Sequence, residues 1–260
     1  VTTSSNAFAL RSGDRMGAVA RMSAMIVDLL FPRGCAGCDR PDAVLCMNCR
    51  RLFHQQVERP LPAVAMGRWF ACGWYRGAAR HAILSWKDHG DEECDGPFCE
   101  MLYDLAHSCG LFDTLHDGMS YDKPVLIVPA PSSRQSVRQR GRRHMMQLAG
   151  RLARELQRAR LSAKVCNALE SRGVKRRSVQ MRGVAQRSRR LRGHVVVRPG
   201  IDLRGVPVVL VDDIITSGTT MRRCVEALQQ AGATVVTVLA LAYTPAGRPA
   251  REEGHSSSAV

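Results

Sequence analysis

The sequence predicts an α/β fold: a parallel sheet with helices packed on it, preceded by a small N-terminal cysteine module. Three observations lead there. Short runs (KPVLIVPAP at 123–131, VPVVLVDD at 206–213, TVVTVLALAYT at 234–244) have the continuous apolar character of strands buried on both faces. Segments of helical period lie between them, and strand–helix–strand alternation is the pattern of a parallel sheet, with ligand sites at the carboxyl ends of its strands. Ahead of all this, four cysteines form two C-x2-C pairs between Cys35 and Cys49.

Taken in order, residues 1–21 are rich in Ser, Thr and Gly and read as a disordered leader. Residues 22–60 hold a helix at about 22–30 and then the cysteine module. Residues 61–120 read as a connecting, hood-like α+β segment. In it WFACGWYRG is a strand ending in a turn, AARHAILSWKDHG a helix closed by Gly90, and DGPFCEMLYDLAHSCGLF (95–112) a further helix. Residues 121–244 carry the strand–helix alternation. A basic helix at about 143–159 places Leu148, Leu152 and Leu156 on one face. SRGVKRRSVQMRG reads as a flexible loop and HVVVRPG as a strand, while MRRCVEALQQAGA is a helix closed by Gly232. Residues 245–260, rich in Pro, Gly and Ser, read as a disordered tail.

The chain has 260 residues and a formal net charge of +15. The charge is regional: Ser132 to Arg192 contains 19 Lys/Arg against Glu155 and Glu170 alone. Such a block suits polyanionic partners, although it holds few aromatics on which unpaired bases could stack. No run approaches the roughly 20 apolar residues of a membrane helix. The longest, MSAMIVDLLF at 22–31, is interrupted by Asp28, and no A-x-A cleavage pattern follows it.

Cys35, Cys38, Cys46 and Cys49 have the spacing of two metal knuckles. Each C-x2-C pair can put two thiolates on one turn, and two such turns complete a tetrahedral, structural zinc site. The other six cysteines show no such spacing and read as small core residues or free thiols.

The stretch VVLVDDIITSGTT (208–220) holds the densest chemistry. An apolar strand leads into Asp212 and Asp213, then into Thr216, Ser217, Gly218, Thr219 and Thr220 at the start of a helix. A helix N-terminus offers unpaired N–H groups and positive dipole to an anion, and Gly218 lets the backbone turn or approach closely. The carboxylates would repel a phosphate they faced. Set a turn away, they can accept hydrogen bonds from vicinal hydroxyls. Phosphate at one end and a diol at the other describe a ribose 5-phosphate. A Walker A loop is absent.

DDIITSGTT resembles the 5-phosphoribosyl 1-diphosphate (PRPP) signature of type I phosphoribosyltransferases. The four-cysteine knuckle, the Y-R-G…W-K-D-H-G segment, V-P-A-P with following basic residues and R-G extend the resemblance to the ComF/GntX-like subgroup, over about residues 25–245. The resemblance implies a type I phosphoribosyltransferase-like domain in which Asp212 and Asp213 hold the ribose hydroxyls and Thr216 to Thr220 the 5-phosphate. It puts Ser132, Ser133 and Arg134 in the diphosphate loop, and Arg172, Lys175, Arg176 and Gln180 in a segment closing over it. Mg2+ is implied as the partner of the diphosphate. If the chain is an enzyme, pyrophosphate is displaced at ribose C1, with Lys175 and Arg134 as the cations that stabilise the leaving group. ComF-like proteins are cytoplasmic and linked to DNA uptake, which implies single-stranded DNA and the uptake machinery as partners. A biosynthetic or salvage phosphoribosyltransferase acting on an amine or nucleobase is the alternative, and a nucleic-acid-binding module with a vestigial PRPP pocket the third reading. One departure stands out. Many relatives read R-G-F-N-Q where this chain has RGRRHMMQ from Arg140 to Gln147, so that Phe-Asn is missing and Gln147 reads as a displaced glutamine.

Overall fold

The computed structural model describes residues 33–117, 123–132, 134–172 and 194–245, with only the backbone described for Arg134, Gln135 and His194. The expected leader and first helix lie outside these residues, as do the tail beyond 245 and the expected loop at 171–183, except for Ser171 and Arg172, which are in a strand.

A six-stranded sheet in the order β1-β2-β8-β7-β3-β4 organises the chain. Its strands are β1 (Val57–Pro60), β2 (Arg68–Trp74), β3 (Val125–Pro129), β4 (Ala163–Val165), β7 (Pro207–Ile215) and β8 (Thr234–Tyr243). All neighbours run parallel except β1, which pairs antiparallel with β2 at one edge. β1 and β2 come from the region beginning at residue 57, so the sheet joins residues on both sides of position 121. The strands β5 (Leu169–Arg172) and β6 (His194–Val197) form a separate antiparallel pair. HVVVRPG is therefore a strand, but outside the parallel sheet.

The apolar runs form strands because they lie between two cores. Val209 and Val211 of β7 face one core, and Val208 and Leu210 face the other, all completely buried. The first core is covered by α2 (Gly77–Asp88), α3 (Asp95–Ser108) and α6 (His144–Arg158), the second by α7 (Thr219–Gln230). Leu148, Leu152 and Leu156 all face the first core, as their spacing requires. The helix expected over 95–112 is interrupted. Gly110 has φ +77°, the left-handed backbone that ends α3, and α4 (Leu111–Asp117) starts after it. Among the described residues the short helices α1 (Met47–Arg51) and α5 (Arg134–Arg140) complete the set, with a 3-10 turn at Glu92–Cys94.

The cysteine module belongs to the first core. Cys35, Cys46 and Cys49 are buried with Phe53, Phe70 and Trp86. Gly73 of β2 makes that contact close, since a Cβ there would stand 2.1 Å from the Leu52 carbonyl oxygen. No helix among the described residues is long and apolar enough to cross a membrane.

Leu148→Ala removes a completely buried side chain from the α6 face and is expected to cost about 2–5 kcal/mol in urea unfolding.

Candidate functional site

β7 continues past the two carboxylates. The strand was expected to end at Asp212-Asp213; instead Asp212, Ile214 and Ile215 remain in register with Ala240, Ala242 and Tyr243 of β8. The added pairing has a simple cause: β8 is ten residues long and continues alongside, which satisfies the backbone of DDII.

Period-two alternation then separates the two acids. Asp213 points inward and is buried; Asp212 is mostly but less completely buried and accepts the Asp213 backbone N–H at 2.9 Å. The Asp213 Oδ2 receives Lys87 Nζ from α2 at 2.5 Å and His144 Nε2 from the start of α6 at 3.1 Å. Burial alone would push the Asp213 carboxyl up, but the His144 hydrogen bond and the Lys87 charge outweigh it and bring it down to about 2. Among the described residues no cation is hydrogen-bonded to Asp212, and the Lys87 charge only partly offsets what raises it. Burial and the neighbouring Asp213 charge push it up to about 8.

Beyond β7, Thr216 and Ser217 are exposed, and Gly218 takes φ +70° as the N-cap of α7. A side chain would be strained there. Ser217 Oγ and Thr219 Oγ1 lie 2.9 Å apart, and Arg222 Nη1 donates to the Ser217 carbonyl at 3.3 Å. Thr220 is exposed on the first turn of α7. The carboxylates, the hydroxyl loop and the helix start are thus consecutive on one central strand.

The loop after β3 lies beside them, with Ala130 N–H donating to Val211 O at 2.8 Å. Ser132 lines a cavity of about 400 Å3 there. Arg138, Arg143 and Arg198 line it too, over an apolar wall that includes Met145 and Leu169. Ser133 and Lys175 lie outside the described residues, as does the side chain of Arg134. So do Arg176 and Gln180; Arg172 is exposed on β5 and paired with Glu170 at 2.6 Å.

Lys87 and His144 carry no local sequence signal of their role. Lys87 sits within W-K-D-H-G, a segment with an assigned resemblance but no assigned chemistry. His144 is the fifth residue counted from Arg140, the place of the relatives' Gln in R-G-F-N-Q, whereas Gln147 is exposed. Gln147, read from the sequence as the displaced glutamine, is a surface residue of α6, while His144 is buried against Asp213.

At the cysteine module, the four sulfurs lie within 4.8 Å of one another. Cys38 Sγ and Cys46 Sγ are 3.6 Å apart, close to the roughly 3.8 Å edge of a tetrahedron with 2.3 Å zinc–sulfur bonds. The backbone N–H of Cys46 donates to Cys35 Sγ at 3.2 Å. Burial would raise the Cys35 thiol, but backbone N–H groups of Cys46, Gly37 and Cys38 bring it down to about 6; burial and the neighbouring sulfurs push Cys49 up instead. Four thiolates this close repel, so a bound cation is needed for all of them to ionise. Gly37 is required for the approach, because a Cβ would stand 2.8 Å from Cys49 Sγ. The donor set fits a four-coordinate thiophilic metal.

Two outcomes follow from this geometry. A carboxyl raised to about 8 binds a proton in the folded chain that the unfolded chain has lost above about pH 4. Its contribution to stability therefore falls as pH rises from 4 to 8. Asp212→Asn removes that loss, so urea unfolding at pH 5 and pH 8 should show the variant gaining on wild type at the higher pH. Asp213 contributes no change there, since its transition lies near pH 2–4. For the cysteines, elemental analysis after chelator-free purification should give about one zinc per chain, and Cys46→Ser should lower both metal content and melting temperature.

The family model for the phosphoribosyl transferase domain matches residues 145–258, somewhat under half of the chain. An orotate phosphoribosyltransferase of Parvibaculum lavamentivorans is 40% identical over 60 residues, which is 23% of this chain and 31% of that protein. The matched region thus spans about a third of the curated relative. Among solved structures, an allosteric regulatory enzyme of purine biosynthesis is 23% identical, covering 55% of this chain and 25% of that one at a TM-score of 0.33. An adenine phosphoribosyltransferase of Thermoanaerobacter pseudethanolicus is 12% identical, covering 75% and 98% at a TM-score of 0.34. The chain carries, in its C-terminal part, a phosphoribosyl transferase domain.

Proposed function

We propose that the chain binds PRPP with Mg2+ at the end of β7, and that it serves DNA uptake or a related nucleic-acid process as a cytoplasmic, ComF-like protein with structural zinc. One observation carries the ligand reading. A central strand delivers Asp212 and Asp213, and within five residues Gly218 and the start of α7, to the same edge of the sheet. Asp212 and Asp213 take the ribose hydroxyls, with Asp212 the more accessible of the two. Thr216, Ser217, Gly218, Thr219 and Thr220 take the 5-phosphate through hydroxyls and the N–H groups of the helix start.

Ser132, Ser133 and Arg134 serve the diphosphate, and Arg138, Arg143 and Arg198 give the neighbouring cavity the charge that a diphosphate needs. Mg2+ travels with the diphosphate and supplies charge neutralisation. In a transfer reaction the C1–oxygen bond to the diphosphate breaks and an acceptor nitrogen takes its place at C1. Lys175 and Arg134 then offset charge on the departing pyrophosphate. The nucleic-acid partner is supported by the +15 net charge and by its concentration between residues 132 and 192.

A second reading, a biosynthetic or salvage phosphoribosyltransferase, is favoured by the name of the curated relative, an orotate phosphoribosyltransferase. Pyrophosphate release from PRPP across a panel of amines and bases separates the two. Turnover with one acceptor supports the enzyme, and none with any acceptor supports the binding protein.

Isothermal titration should show Mg·PRPP binding that is lost in Asp212→Asn/Asp213→Asn; undiminished binding in the double variant rules out the pocket. Affinity for single-stranded DNA should fall steeply with salt, since the contact is to phosphates. A flat salt response removes that partner.

A further inference from the structure

Around Asp213 the structure contains more than a PRPP signature requires. The carboxylate is gripped from two helices that belong to different stretches of chain, α2 through Lys87 and α6 through His144. Of the two, His144 is the more firmly placed. The His144 ring is almost fully buried and stands edge-on to Trp86, with centroids 4.8 Å apart. Trp86 is itself completely buried, and its Nε1–H donates to Asp95 Oδ1 at 2.6 Å. Arg142 Nη2 donates to the same Asp95 oxygen at 2.6 Å, and its guanidinium stands 6.0 Å from the Trp86 ring centroid. The imidazole is thus held between a fixed indole on one side and a carboxylate on the other.

This cluster is costly to build. A buried acid next to another acid needs compensation, and a buried ion pair often stabilises a fold no more than an apolar contact of the same volume does. Placement of Asp213 beside the diol-binding Asp212 gives the cluster a purpose that stability alone does not. Lys87 also keeps the net charge of the acid pair near −1 at most, which lowers its repulsion of an incoming phosphate and diphosphate.

We propose that Lys87 and His144 are positioning residues for the phosphoribosyl site, holding the Asp213 carboxylate in the orientation that PRPP requires. The imidazole Nε2–H does this as a hydrogen-bond donor, so an amide at position 144 can replace it and an apolar side chain cannot. The proposal rests on the PRPP reading given above.

The test is isothermal titration of Mg·PRPP into the full chain, into Lys87→Gln, and into the pair His144→Gln and His144→Leu, with melting temperature recorded for each. Lys87→Gln and His144→Leu should bind about tenfold more weakly or worse, the usual effect of losing a hydrogen bond to a charged group. His144→Gln should stay within about threefold of wild type, the rescue that a merely structural role for a buried ring would not give. If Lys87→Gln does not fold, the His144 pair decides. Equal binding by wild type and His144→Leu, or equal losses in both His144 variants, overturns the positioning role and leaves the PRPP reading standing. Absence of Mg·PRPP binding by wild type overturns both.

Discussion

The arrangement depends on a carboxylate buried at the carboxyl end of the central strand. β7 runs between two apolar cores, so any side chain that alternates inward must be apolar or fully compensated. Asp213 is the exception, and the molecule compensates it with an ammonium and an imidazole from two helices. That need ties α2 and α6 to the same point on the sheet. It also makes two adjacent aspartates chemically unequal, one held low by partners and one pushed high by burial and by its neighbour's charge. A site that has to accept a diol beside phosphates gains from that inequality, because two free carboxylates would repel the ligand.

Through α2 the same region reaches the cysteine module. Arg33, next to the knuckle, pairs with Asp91, which also accepts from Ser85 Oγ at 3.3 Å, one residue before Trp86. The first core includes Cys35, Cys46 and Cys49 together with Trp86, Phe98 and the buried face of α6. The module is therefore packed into the same core as those helices, a position from which it can brace them, rather than standing apart as an appendage. A four-thiolate metal suits this role, since it cross-links a short segment too small to hold its own shape by apolar burial.

Much of this was legible beforehand where the determinants are local. Leu148, Leu152 and Leu156 report a helix face through spacing alone, and the three apolar runs report strands through continuous burial. The two C-x2-C pairs and the DDIITSGTT order needed only neighbours in sequence. The single helix read over 95–112 failed because Gly110 is an ordinary residue in a periodic pattern until its φ is known. β7 outran its expected end because β8 continues beside it, a fact no window of β7 contains. Lys87 and His144 were missed for the same reason: each finds Asp213 only across the folded sheet.

The sequence by itself determined the α/β class, the four-cysteine cluster and a strand–loop–helix segment that gathers two carboxylates and a run of hydroxyls. These rest on periodicity, spacing and turn chemistry, which act over a few residues. Tertiary structure alone decided which aspartate is buried, what neutralises it, and that His144 and Lys87 meet at it. Those outcomes depend on which helix crosses which strand, and burial of charge, being a property of the packed whole, has no local code.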